Sequence, residues 1–219
     1  MEPEAFHKLI YTIVNSKNSE EKRNAEKLYF DFRAQNPSDD FVKLLLNECV
    51  TESDTQKAAQ IFLNQDLVQN SENSCLNRMH DSTIAREYIV QLLQFGAANP
   101  STFIAKIGAQ YYLLQNAMNR RFDEAQSFIS QAAENSNSKV RNMAACMLSE
   151  ILEDCSLESL DQINSLALLQ SLLNDEDDTV AVSASKALEN VISYATTLSN
   201  NVPDEVICQI VMAMLNRAA

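Results

Sequence analysis

The chain has 219 residues, 46% hydrophobic and 21% charged, with two glycines, four prolines and no tryptophan. So few turn formers exclude an all-β sandwich or barrel, which needs Gly-rich turns every 8–12 residues or so, and two glycines cannot write a Walker loop or a dinucleotide fingerprint. Thirty acidic against 17 basic residues, net −13, exclude general binding to nucleic acid or to an anionic membrane surface, both of which would repel the chain.

What remains is helical. Phe6, Ile10, Ile13 and Val14 fall on one face of a first helix, and Ala25, Leu28, Tyr29 and Phe32 on one face of a second that begins near Asn18. A third helix covers 41–50, and a fourth carries Ala58, Ala59, Phe62 and Leu63. Residues 70–81 are polar, aperiodic and longer than the roughly 2–8 residues that join stacked helices, which predicts a mobile surface loop or, alternatively, a domain boundary. Helices over 84–94 and 102–115 follow, with Gly108 at the small-residue position of the second.

The second half repeats. Val140, Ala144, Leu148, Ile151 and Leu152 align with Val180, Ala184, Leu188, Val191 and Ile192 at a constant offset of 40, each set forming one helical stripe with a small residue in the middle. Asn137-Ser138 and Asp177-Asp178 precede the two stripes as capping pairs, and amphipathic helices over 122–135 and 160–174 precede the caps. The unit is helix A, polar turn, helix B. Its period of about 40 predicts an all-α fold, an α-solenoid of about five HEAT-type helical hairpins in a right-handed superhelical stack. The expected repeats are 3–36, 38–70, 81–117, 119–155 and 158–197, with a helix of a further repeat over 203–219. That last helix has no partner for Val206, Ile207, Ile210, Val211 and Met214. Either the chain is the N-terminal part of a longer solenoid, the reading preferred here, or this helix lies across the end of the stack. Pro37, Pro100 and Pro203 sit at expected helix boundaries, where a missing N–H is harmless.

Five cysteines without a CxxC pair, no basic and apolar leader and no apolar run of about 18 residues indicate a reducing compartment and buried, inert thiols. Cys146, on the expected polar face of its helix, is the one thiol singled out, with an inert role still the preferred reading. After Arg141 the chain holds two basic and twelve acidic residues, a surface that is simply solvated or one that receives a basic partner.

The opening Phe6-x-x-Leu9-Ile10, followed by Ser16-x-Asn18-x-Glu20-x-x-Arg23-x-Ala25-Glu26 and Pro37, resembles the N-terminal HEAT repeat of importin-β (karyopherin-β) nuclear transport receptors. Residues 57–65 resemble that family's second B helix, with Asn64 in place of the usual basic residue and Gln65 in place of the usual Asn. The resemblance implies nucleocytoplasmic protein import, an N-terminal arch whose inner B helices bind the GTP form of the small GTPase Ran, basic cargo proteins and nucleoporin repeats as further partners, and shuttling between cytoplasm and nucleus. A generic HEAT-repeat scaffold or adaptor without GTPase binding is the alternative.

Helical phasing places the partner-facing side of the B helices at Arg23 and Lys27, at Lys57, Gln60 and Asn64, at Asn142, Ser149 and Glu153, and at Lys186 and Glu189. A folded protein with basic patches suits such a surface. A monomer is expected, without membrane insertion, nucleic acid, cofactor or metal. Enzyme chemistry has little support. His7 and His80 belong to no ligand motif, and Asp175-Glu176-Asp177-Asp178 lacks the Gly and the terminal Glu of a calcium loop, so capping of the next helix explains the run.

Overall fold

The apolar spacing is realised as ten helices among the residues that the computed structural model describes, which are 1–34, 39–69, 74–76, 82–154 and 165–197. They are α1 (Pro3–Asn15), α2 (Ser19–Ala34), α3 (Asp39–Val50), α4 (Gln56–Gln69), α5 (Ser82–Ala98), α6 (Thr102–Ala117), α7 (Asp123–Ala133), α8 (Ser138–Asp154), α9 (Ser165–Leu173) and α10 (Asp178–Thr197). No strand occurs among the described residues. The fold is all-α, of the helical-repeat solenoid class. The expected helix over 203–219 lies outside the described residues, as do the side chains of Val191 and Tyr194.

Two compact units divide the chain, Met1–Phe95 and Gly96–Ala219. In the first, α1 packs on α2 and α3 on α4, and α1 also touches α3 and α4. Pro3 stands in the first turn of α1, where the missing N–H has no intrahelical acceptor to lose. Asn18 starts α2: its side-chain oxygen accepts from the N–H groups of Glu20 (3.0 Å) and Glu21 (3.2 Å), while Ser16 donates to the Glu21 carboxylate at 2.7 Å. Aromatic rings from all four helices meet beneath these turns. Phe6 lies edge-on to Phe41 at 5.9 Å, Tyr29 reaches Phe41 at 5.4 Å and Phe62 at 5.2 Å, and Phe32 reaches Phe41 at 5.6 Å. Burying each such ring contributes about 2 kcal/mol from area alone, and the edge-to-face geometry adds to it. The expected stripes hold only in part, since Leu28 is 55% and Val14 44% exposed.

In the second unit α7 packs on α8 and α9 on α10, and α8 also contacts both α6 and α10. Small side chains permit this close stacking: Ala105, Gly108 and Ala109 on α6, Ala144 and Ala145 on α8, and Ala181, Ala184 and Ala187 on α10 are all buried. Gly96, in the last turn of α5, is tighter still. A Cβ there would stand 2.8 Å from Met143 Cε and 2.9 Å from Ile104 Cγ2. With glycine scarce, Asn119 takes the left-handed turn after α6 (φ 56°), and Arg120 N–H closes that helix end on Gln115 O at 2.8 Å.

The offset of 40 is carried into hydrogen bonding. Asn135 Oδ1 accepts from Asn137 N–H and Asp175 Oδ1 from Asp177 N–H, both at 2.9 Å; Asn137 and Asp177 then cap α8 and α10 in the same way, accepting from Lys139 (3.0 Å) and Thr179 (2.9 Å). Within 70–81 the loop reading fails for Ser74, Cys75 and Leu76, which are buried. Cys75 N–H donates to Asp66 Oδ2 at 2.6 Å, so a buried carboxylate, which a local sequence pattern does not reveal, holds the centre of that segment inside. Residues 70–73 and 77–81 lie outside the described residues.

Candidate partner-binding groove

Two buried carboxylates organise the first unit. Glu48 on α3 accepts at Oε1 from Ser53 (3.1 Å) and from Thr55, and its Oε1 lies 2.8 Å from His7 Nδ1 of α1. This fixes the α3–α4 turn against the first hairpin and shows His7 as a packing residue. Asp66 on α4 receives both the Arg33 guanidinium of α2 and the Cys75 N–H. A buried carboxylate is tolerated only when its lone pairs are met by donors, and Asp66 meets that condition.

The Arg33–Asp66 pair closes one end of an open groove of about 380 Å³ between α2 and α4. Its α2 wall is Glu26, Tyr29, Phe30 and Arg33, residues spaced 3, 1 and 3 apart and so on one helical stripe. Its α4 wall is Phe62, Gln65 and Asp66, and Ile13 of α1 contributes from below. Tyr29 is buried, and that burial, with Cys75 and Asp66 nearby, pushes its hydroxyl far above the ordinary range, so the ring stays neutral. Phe30 stands at 5.6 Å from Tyr29 with its ring 59% exposed. Glu26 is half-buried at the other end of the stripe.

The residues expected to face a partner distribute unevenly. Arg23 and Lys27 are exposed on α2, but the groove is lined by Glu26 and Phe30, which lie to one side of them on the helical wheel. Lys57 is exposed on α4. Gln60 is a correction: it is only 3% exposed and donates to the Cys49 carbonyl at 3.0 Å, which ties α4 to α3 rather than facing solvent. Asn64 is half-buried, and its Oδ1 has no hydrogen-bond partner. Sequence phasing missed Phe30, Asp66 and Glu48, and took Phe62 only as part of the apolar stripe of its helix. The one available signal was Phe30 itself, a large ring off the core stripe of a charged helix.

On the second unit, Asn142 and Ser149 lie in the seam between α8 and α10. Ser183 donates to Asn142 Oδ1 at 2.7 Å, and Asn190 donates to the Ser149 carbonyl at 3.0 Å. Glu153, Lys186 and Glu189 are exposed. Cys146 sits in the same seam, its thiol 3.8 Å from the Ser183 hydroxyl, and burial pushes it up. The polar-face reading of this thiol therefore gives way to a protonated packing role. Lys106 of α6 pairs with Glu150 of α8 at 2.6 Å. Arg141 forks onto Asp175 at 2.6 and 2.9 Å and donates to the Asn135 and Ser136 carbonyls at 2.9 and 3.1 Å. The hydrogen bonds from Arg141 hold the Asp175 carboxyl below its ordinary 3.8, and the Ser138 hydroxyl and the Thr179 N–H do the same for Asp177. The acidic run thus serves the turn, as its capping reading required. Among the described residues, no group of three or more His, Cys, Asp or Glu side chains could hold a metal ion, and no helix is long and apolar enough to cross a membrane.

No family model matches the chain, and no curated protein matches it. Solved structures do. An engineered protein from the Northeast Structural Genomics Consortium matches with TM-score 0.51 and 18% identity, over 99% of this chain and 96% of that one. A second engineered protein from the same consortium matches with TM-score 0.51 and 19% identity, over 95% and 96%. A designed armadillo repeat protein, solved in complex with the peptide (KR)4, matches with TM-score 0.46 and 16% identity, over 94% and 97%. At such identities the first two speak for the fold alone, an all-α helical-repeat fold.

Proposed function

We propose that the chain is a protein-binding scaffold of the helical-repeat class, acting by contact rather than by catalysis. The observation that carries this reading is the open groove between α2 and α4, where Phe30 holds a ring 59% in water beside two further aromatic rings. Exposed aromatic side chains over a preformed groove are the composition of interface centres. Affinity capture from a cell extract tests it: wild-type chain retains defined proteins that the Phe30→Asp, Phe62→Asp double variant does not. Equal sets of retained proteins, or none, would sink the reading.

A narrower reading rests on the Ser16–Glu26 motif. Here the scaffold is the N-terminal arch of an importin-β-type receptor, shuttling between cytoplasm and nucleus, binding Ran in its GTP form and releasing basic cargo. The exposed Arg23, Lys27, Lys57, Glu153, Lys186 and Glu189 are the side chains it would use. Its test is a pull-down with purified Ran loaded with GTP or GDP. Retention of the GTP form alone supports it; retention of both or neither removes it and leaves the scaffold reading standing.

A further inference from the structure

The groove between α2 and α4 also says what kind of segment it takes, an inference that rests on the scaffold reading. Its two walls run side by side, because the Tyr29 ring meets the Phe62 ring at 5.2 Å, tilted by 53°, and Arg33 is bound to Asp66 one turn further along. Between these fixed contacts the floor is Tyr29 and Ile13, and the flanks are Phe30 and Phe62. A space of about 380 Å³ is the size of one large side chain with its flanking backbone, at the lower end of ligand sites, which run roughly 300–1,000 Å³.

The charges at its two ends differ. At one end Arg33 and Asp66 neutralise each other and offer an incoming chain no net charge. At the other, Glu26 lines the groove with no ion pair or hydrogen bond of its own among the described residues. A carboxylate beside aromatic faces favours a cation twice over, by direct pairing and by the negative faces of the rings. We infer that the groove docks an extended segment of a partner protein that seats one aromatic or leucine side chain between Phe30 and Phe62 and places an adjacent lysine or arginine against Glu26.

The test is selection of a displayed library of random linear peptides on the immobilised full chain, followed by affinity measurements on the enriched peptides. The expected motif is an aromatic residue or leucine next to Lys or Arg. Phe30→Ala and Phe62→Ala should each weaken such peptides about tenfold or more, and Glu26→Gln about threefold with a shallower salt dependence. Leu28→Ser, an exposed apolar change on the same helix outside the groove, should leave them unchanged. Enriched peptides that bind equally well to the Phe30, Phe62 and Glu26 variants, or whose motif places an acidic residue beside the anchor, overturn the assignment of this groove while the scaffold reading stands. A library from which nothing enriches overturns both.

Discussion

The two units of this chain stabilise the same kind of helix pairing by unlike means. In residues 1–95 the helices are locked by one-of-a-kind contacts: a cluster of aromatic rings, a buried Glu48 held by His7, Ser53 and Thr55, and a buried Asp66 held by Arg33 and the Cys75 N–H. In residues 96–219 they are locked by repetition: alanines and glycines at helical spacing, and two turns that use the same hydrogen bonds forty residues apart. The first arrangement specifies each interface separately and leaves room for a groove. The second lets the helices approach closely.

The contrast can be broken most severely at Asp66. Asp66→Ala removes the buried carboxylate that receives both the Arg33 guanidinium and the Cys75 N–H, and should cost about 3 kcal/mol in urea unfolding. The counterpart in the second unit is Gly96→Val. Met143 Cε can swing aside, but Ile104 Cγ2, branched at Cβ, cannot do so freely, and the overpacking should cost about 2 kcal/mol by the same measurement. An equal loss at both sites would erase the distinction drawn here.

Asp175→Asn sharpens the comparison by testing whether the repeated turns carry energy or only geometry. The native carboxyl is held below its ordinary 3.8, so the folded state binds its proton less readily than the unfolded one. The stabilisation it adds is complete above that value and is lost as pH falls through it and below. Asp175→Asn should therefore cost about 1–2 kcal/mol at pH 7 and flatten the acid limb of the stability curve. An unchanged acid limb would show that other carboxylates dominate it. The smallest effect is expected at Phe30. Phe30→Ala should change stability by no more than about 0.5 kcal/mol, because the ring is mostly in water. A larger loss would mark the ring as core rather than contact surface.

How much of this was legible in the sequence follows the same divide. Val140, Ala144, Leu148, Ile151 and Leu152, and forty residues on Val180, Ala184 and Leu188, were found by spacing and are all buried. Repetition is a local signal, so a single sequence suffices to see it. The first unit gave up less. Phe6, Ile10, Ala25 and Tyr29 were placed on buried faces, but Val14 and Leu28 were assigned to the core and are exposed. Glu48, Asp66 and Gln60 were unreadable as interior residues because each has a partner on another helix, 41, 33 and 11 positions away, and an acidic or amide side chain on a helix carries no mark of being satisfied from a distance. The groove escaped for a related reason. Its walls come from two helices, and phasing one helix at a time put the partner-facing side at Arg23 and Lys27 rather than at Glu26 and Phe30.

Asn135 and Asp175 occupy equivalent places, and each accepts from the backbone two residues on. The acid does one thing more than the amide: its two oxygens and its charge take hold of a guanidinium from the preceding hairpin. An acid at this place, met by Arg141, thus couples its bend to the hairpin before it without disturbing the bend. By that route, duplicated modules that first merely adjoin can become fastened together one at a time.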